Sequence, residues 1–129
     1  MIITLCGFMG CGKSTLGRGL AAAYNCRFID LDDYIEAKWA MSISTIFARK
    51  GEEWFRNEES AALQEIVEEY NYLSSKEPYT LVLALGGGTL IYSVCQFQLL
   101  SNNHYNITKH EVIISRNGIY LKENRVLVL

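Results

Sequence analysis

Several residues near the start of the sequence have the types and the spacing that bind phosphate. They are Gly7, Gly12, Lys13 and Ser14, which fit the pattern G-x-x-x-x-G-K-[ST] after an apolar run over residues 2–5. The glycines let the backbone turn its N–H groups towards an anion, and a helix starting at Lys13 adds the positive end of its dipole. Lys13 suits the β- and γ-phosphates of a nucleotide, and the Ser14 hydroxyl suits Mg²⁺. The segment therefore predicts a phosphate-binding loop rather than a chance glycine-rich turn.

Two aspartates follow the predicted second strand, "RFID". Asp30 and Asp32 are two positions apart, so an extended segment would place both carboxylates on one face. One could position Mg²⁺, and the other could accept a hydrogen bond from an acceptor hydroxyl. The alternative is structural, because Asp32 or Asp33 would suit the N-terminal cap of the next helix.

An arginine and a run of glycines could form a pocket for an acceptor. Arg56 lies in "GEEWFRNEE", and its guanidinium fork fits a planar carboxylate. The alternative is a surface ion pair with Glu52, Glu53 or Glu59. The glycines at positions 86–88 follow the predicted third strand, where bare backbone lets a ligand approach closely. The alternative for this run is a flexible strand exit.

Alternating strands and helices are expected to position these residues. Apolar spacing predicts a helix over residues 13–24, short helices in "DDYIEAKWA" and "SISTIFARKG", and a longer helix from Glu53. "YTLVLALGGG" has the unbroken apolar run of a parallel strand that is buried on both faces. This alternation predicts an α/β fold with a parallel sheet. Beyond Gly88, "LIYSVCQFQLL" could be a helix, "HEVIIS" and "GIYLK" compete to be the fourth strand, and "RVLVL" is strand-like.

Composition indicates one globular domain with small-molecule partners. The 129 residues carry a net charge of −2, which argues against a protein that binds duplex nucleic acid mainly through phosphate contacts. No stretch approaches the roughly 18 apolar residues of a membrane span. We expect a cytoplasmic monomer that binds neither nucleic acid nor membrane. The cysteines form no C-x-x-C pair, so we expect free thiols at Cys6, Cys11, Cys26 and Cys95.

In this order, "GFMGCGKST", "FIDLD", "GEEWFRNEE" and "LGGGT" resemble shikimate kinase over residues 2–89. The resemblance implies a three-layer P-loop fold of the nucleoside-monophosphate-kinase type with a parallel sheet of five strands. It also implies transfer of the γ-phosphate of ATP to the 3-hydroxyl of shikimate, in chorismate and aromatic amino-acid biosynthesis. The alternatives are a weakly active or inactive protein that binds nucleotide or shikimate, and another small-molecule kinase such as gluconate kinase, which the triple glycine disfavours.

The resemblance also assigns roles to individual residues. It implies catalytic roles for Lys13 and Asp32 and Mg²⁺ binding by Ser14 and Asp30, and Arg125 is a further catalytic candidate outside the matching motifs. Glu59 would orient Arg56 towards the substrate carboxylate. The loop residues expected to bind ATP are Gly7, Gly10, Cys11, Gly12, Lys13, Ser14 and Thr15. The residues expected to bind shikimate are Asp32, Arg56, Glu59, Gly86, Gly87 and Gly88.

The sequence after Thr89 departs from the family pattern. Arg125 in "NRVLVL" is the candidate for the arginine of the family's lid, although the proline of the family segment is missing. A second carboxylate-binding arginine and an adenine-contacting segment have no counterpart. We therefore expect a single domain over residues 1–129 in which residues 90–129 are atypical, with an incomplete lid and C-terminal region and weak turnover.

Overall fold

The computed structural model of the chain describes residues 1–6 and 12–86, together with three strands within residues 113–128. The first part contains strand β1 (Ile2–Cys6), helix α1 (Lys13–Ala23) and strand β2 (Arg27–Asp30). It continues with helices α2 (Leu31–Trp39), α3 (Ile43–Lys50) and α4 (Glu52–Ser74), and with strand β3 (Leu81–Ala84). The later strands are β4 (Ile113–Ser115), β5 (Gly118–Tyr120) and β6 (Arg125–Val128).

One sheet joins all of these strands in the order β2-β3-β1-β6-β5-β4. The pairs β2–β3, β3–β1 and β1–β6 are parallel, which confirms the predicted parallel α/β arrangement. Strands β5 and β4 are antiparallel to their neighbours, so the described sheet has six strands and is mixed, not the five parallel strands that the resemblance implies. "HEVIIS" and "GIYLK" both contain strands, and they pair with each other; the strand beside β1 comes from "RVLVL" instead.

The sheet is covered on both faces, which explains the unbroken apolar run of β3. Alternate residues of β1 and β3 point to opposite sides, because successive side chains of a strand do so. Ile2, Leu81 and Leu83 pack with buried residues of α2, α3 and α4. Ile3, Leu5 and Val82 pack with Ala21 of α1 on the other side. The described part of the chain is therefore built in three layers.

Capping residues set the ends of the short helices. Asp30 is the N-cap of α2, and Ala40 ends that helix in the left-handed region at φ 51. Ser42 caps α3 by accepting a hydrogen bond from the Thr45 amide at 3.2 Å. Gly51, at φ 86, separates α3 from α4. The alternative of a cap at Asp32 or Asp33 does not hold, because both residues lie inside α2.

Some predictions fall on residues outside the described part. They concern a helix in "LIYSVCQFQLL" and the residues Gly7, Gly10, Cys11, Gly87 and Gly88. Cys26 is described, and it is a free thiol as expected. Within the described ranges, no helix has the length and apolar content needed to span a membrane.

Candidate active site

The phosphate-binding segment enters the first helix at the carboxyl end of β1. Gly12 is the N-cap of α1 and has φ 87 and ψ 18, a left-handed conformation that favours glycine. Its carbonyl accepts a hydrogen bond from the Leu16 amide at 2.9 Å, which closes the first turn. Lys13, Ser14 and Thr15 occupy that turn. The described end of the motif thus enters a helix at Lys13, as the motif predicts.

Ser14 and Asp30, the predicted Mg²⁺ ligands, are in contact. The Ser14 hydroxyl donates to Asp30 Oδ2 at 2.8 Å. Asp30 Oδ1 accepts from the backbone amides of Asp32 at 3.0 Å and Asp33 at 3.4 Å. A hydroxyl and a carboxylate are hard oxygen donors, which Mg²⁺ prefers, and kinase Mg²⁺ sites use few protein ligands beside substrate phosphates.

Asp32 lies in a partly buried, acidic environment. Burial is the main reason that the pKa of Asp32 rises to about 6, and the negative charges of Asp30, Glu59 and Glu36 raise the pKa further. Lys13 acts in the opposite direction. Asp32 is therefore near both Lys13 of α1 and Glu59 of α4. The predicted extended segment over Asp30 and Asp32 was wrong, because Asp32 belongs to the first turn of α2. The two residues lie close together because Asp30 caps that helix and accepts a hydrogen bond from the Asp32 amide.

Arg56 projects from the first turns of α4 and forms two ion pairs. Its Nη1 donates to Glu59 Oε2 at 2.6 Å, and its Nη2 lies 3.6 Å from Glu52 Oε1. The Glu59 side chain is 6% exposed, whereas that of Arg56 is 31% exposed. The surface ion pair considered as the alternative thus exists with Glu52 and Glu59. Arg56 is therefore held at one nitrogen by a buried carboxylate while its side chain stays partly exposed.

The remaining predicted residues are divided between two places. Gly86 is buried two residues after the end of β3. The amide of the preceding Leu85 donates to the carbonyl of Leu5 at 2.9 Å, so this glycine lies beside the end of β1. Arg125 opens β6 and pairs with Ile3, whereas Val128 pairs with Cys6. The backbone of Arg125 is therefore about 10 Å from the strand end that carries the loop. The structure therefore places the backbone of Arg125 within the sheet, and its role as the lid arginine stays a prediction.

Glu36 belongs to the site, although the sequence analysis did not single it out. Its charge acts on Asp32, which lies four residues earlier and therefore one helical turn away. Its Oε1 accepts a hydrogen bond from the Ile43 amide at 2.8 Å, which joins α2 to the start of α3. The i, i+4 spacing of two acidic residues on one helix was the available signal.

The fold and the site define a P-loop α/β domain of the nucleoside-monophosphate-kinase type. The family described as shikimate kinase matches residues 9–118 of the sequence. The chain belongs to the shikimate kinase family.

Similar proteins agree with this assignment. Shikimate kinase of Thermus thermophilus is 48% identical over 99 residues, which cover 76% of this chain and 48% of that protein. Shikimate kinase of Staphylococcus aureus is 42% identical over 100 residues, covering 78% of this chain and 51% of that protein. The chain thus spans about half the length of the curated relatives it matches.

Solved structures show the same fold. The crystal structure of shikimate kinase from Bacteroides thetaiotaomicron superposes with a TM-score of 0.64 at 35% identity, over 78% of this chain and 52% of that chain. Shikimate kinase from Acinetobacter baumannii in complex with shikimate gives a TM-score of 0.61 at 38% identity, over 71% of this chain and 46% of that chain.

Proposed function

We propose that this chain carries the nucleotide and acceptor sites for ATP-dependent phosphorylation of the 3-hydroxyl of shikimate. The observation that carries the proposal is the electrostatic environment of Asp32. This residue interacts with Lys13 of the phosphate-binding motif and with Glu59, the partner of Arg56. Asp32 therefore lies between the phosphate-binding motif and the segment around Arg56 that would bind a carboxylate.

On the nucleotide side, the chain supplies positive charge and oxygen ligands. Lys13 and the N-terminus of α1 would bind the phosphates of ATP, together with the other loop residues from Gly7 to Thr15. Ser14 and Asp30 would hold Mg²⁺, which when bound neutralises charge on the phosphates. Their contact at 2.8 Å supports this assignment, because it brings the two donors to one point at the end of β2.

On the acceptor side, Asp32 would accept the proton of the attacking hydroxyl. A pKa of about 6 leaves its carboxylate mostly ionised at pH 7 while making it a stronger base than an ordinary aspartate. Arg56, whose side chain is partly exposed, would bind the carboxylate of shikimate, and Glu59 would hold the guanidinium in place. The glycines at positions 86–88 would line the pocket, which the burial of Gly86 at the strand end supports.

The wider role follows from the same reaction. Phosphorylated shikimate leads to chorismate and the aromatic amino acids, so we infer a biosynthetic transferase. We further infer one domain over residues 1–129 that acts in the cytoplasm as a monomer on small molecules. We keep Arg125, which begins β6, as the candidate for the catalytic lid arginine.

A coupled assay of ADP release tests the function. The chain is incubated with Mg²⁺ and ATP, with shikimate, with gluconate or with no acceptor. We expect ADP release that requires shikimate and Mg²⁺ and that is lost in Lys13→Met. Equal rates with and without shikimate, or a preference for gluconate, would contradict the proposed acceptor.

A further inference from the structure

The proposed acceptor site takes its residues from two helices, α2 and α4. Asp32 lies in the first turn of α2, whereas Arg56 and Glu59 lie near the start of α4. Helix α3 intervenes in the chain between them. The spacing of the acceptor site therefore depends on how α2 packs against α4.

A lysine at the end of α2 contacts α4 at two points. Lys38 Nζ lies 2.8 Å from Glu58 Oε1 and 2.7 Å from Glu65 Oε1. The two glutamates are seven residues apart, so their Cα atoms lie on the same face of α4 about 10 Å from each other, and both side chains reach the same Lys38 nitrogen. Tyr34, one turn before Lys38, donates its hydroxyl to Glu65 Oε2 at 2.9 Å. Together these contacts fix both the separation and the register of the two helices.

Glu58 is less exposed than the carboxylate of an ordinary surface ion pair, so losing its cation is expected to cost more. Exposed pairs contribute little, because water screens the charges and long side chains lose entropy. The Glu58 side chain is only 12% exposed, and that of Lys38 is 32% exposed. Removing Lys38 would leave a carboxylate that is largely shielded from water without its cation, so α4 would have to shift or rotate to hydrate it. Glu58 immediately precedes Glu59, so such a shift would move the partner of Arg56.

We propose that Lys38 is a positioning residue: by pairing with two glutamates of α4, it sets the spacing of the acceptor site. This inference rests on the proposed function, because the spacing matters only if α2 and α4 bind the acceptor together. Lys38 itself does not touch the substrate. The phosphate-binding residues at the start of α1 lie outside the pair of helices that Lys38 joins, and only Asp30, the cap of α2, links that pair to the proposed Mg²⁺ site.

The test separates acceptor binding from nucleotide binding. Shikimate and Mg²⁺-ATP affinities are measured by calorimetry for the unaltered chain and for Lys38→Met. We expect about a tenfold loss of shikimate affinity and an ATP affinity that changes less than about twofold. Lys38→Arg, which keeps the charge, should recover most of the shikimate affinity. Arg27→Met is the matched control, since it breaks a 2.9 Å ion pair with Glu69 at the other end of α4.

Two further measurements distinguish positioning from simple stability. The tryptophans at positions 39 and 54 pack edge to face across the same contact, with ring centroids 5.1 Å apart, so near-ultraviolet circular dichroism reports the geometry of α2 and α4. We expect this signal to change in Lys38→Met and to return in Lys38→Arg. The double variant Lys38→Met with Glu58→Gln removes the unpaired charge. It should regain unfolding free energy and, because no carboxylate then forces α4 to shift, part of the shikimate affinity.

Each outcome bears on the inference. If Lys38→Met binds shikimate as the unaltered chain does, or loses ATP and shikimate affinity equally, Lys38 has no positioning role and the proposed function stands. If the unaltered chain binds no shikimate, the proposed function is wrong and the inference falls with it. Should Lys38→Met fail to fold, Glu65→Gln removes one of the two partners, and we expect about a threefold loss of shikimate affinity. Unchanged shikimate affinity in that variant would equally overturn the inference.

Discussion

Asp30 uses its two carboxylate oxygens for different contacts. One oxygen caps α2, and the other accepts the hydrogen bond of Ser14. An asparagine at this position keeps a capping oxygen but loses the charge, whereas an alanine loses both. The residue is therefore structural and, in the proposed function, a metal ligand.

The two roles of Asp30 can be separated by a pair of substitutions. We expect Asp30→Ala to lower the free energy of unfolding by about 1 kcal/mol through the lost cap, and Asp30→Asn to change it much less. Both variants should lose affinity for Mg²⁺-ATP. Urea unfolding and calorimetry measure the two effects. Equal stability of the alanine and asparagine variants would show that the cap contributes nothing.

Asp32 makes stability depend on pH in the metal-free protein. Its folded pKa of about 6 is above the ordinary value of 3.8, so the folded state binds more protons between these values. The free energy of unfolding should therefore fall by about 2 kcal/mol as the pH rises from about 4 to about 7, after discounting for partial exposure. Urea unfolding in the presence of a chelator measures this. Asp32→Asn should be more stable than the unaltered chain at pH 7, and similar slopes for both proteins would contradict the assignment.

Arg56 tests the proposed carboxylate contact. A lysine keeps the charge but cannot form the planar, two-point contact of a guanidinium. We expect Arg56→Lys to reduce shikimate affinity about tenfold to a hundredfold, as for the loss of a charge-assisted hydrogen bond of ~1.5 to 3 kcal/mol. Arg49→Lys, on an exposed turn of α3, is the control. Unchanged affinity in Arg56→Lys would place the carboxylate elsewhere.

At the level of elements, α1 packs very closely on β2. A Cβ atom built on Gly17 would overlap the ring of Phe28, whereas one on Gly19 would meet nothing within 4 Å. Both glycines are in α1, so they share the same helical backbone. The close contact keeps α1, which begins at the phosphate-binding loop, against the strand that ends at Asp30.

The two glycines should respond in opposite directions to alanine. Gly17→Ala is expected to lower the free energy of unfolding by about 1 to 3 kcal/mol, because the ring of Phe28 must move. Gly19→Ala is expected to raise it by up to ~1 kcal/mol, because alanine favours helix. Urea unfolding compares the two. A stabilising effect at Gly17 would mean that α1 and β2 are not in close contact.

The positions of most helices and strands could be predicted from the local sequence, whereas strand pairing could not. The helices and the first three strands follow from apolar spacing and from capping residues such as Ser42 and Gly51. The pairing of β4 with β5 does not, because a three-residue strand carries little periodicity and its partner depends on the rest of the sheet. The contact between Ser14 and Asp30 was predictable as a family feature. The contact of Lys38 with α4 depends on the packing of two helices, which no local pattern contains.

For the whole molecule, the sheet separates the helices of the proposed site. Helix α1, which begins at the phosphate-binding loop, covers one face of the sheet, and the acceptor helices α2 and α4 cover the other. The strand ends bring the two sets of residues together, as is general for ligand sites of parallel α/β sheets. Ligands at this edge would contact elements from both layers and should therefore stabilise the entire fold.

Ligand-dependent stability tests this arrangement in a single experiment. A ligand at about 100 times its dissociation constant stabilises the folded state by about 2.7 kcal/mol, if it does not bind the unfolded chain. We expect Mg²⁺-ATP and shikimate each to raise the midpoint of thermal unfolding of the unaltered chain. In Lys13→Met the shift with Mg²⁺-ATP should disappear, because the phosphates lose their cation, while the shift with shikimate should remain. If Mg²⁺-ATP still stabilises Lys13→Met to the same extent, the nucleotide does not bind at the loop before α1; if shikimate produces no shift in either protein, the acceptor site on α2 and α4 is wrong.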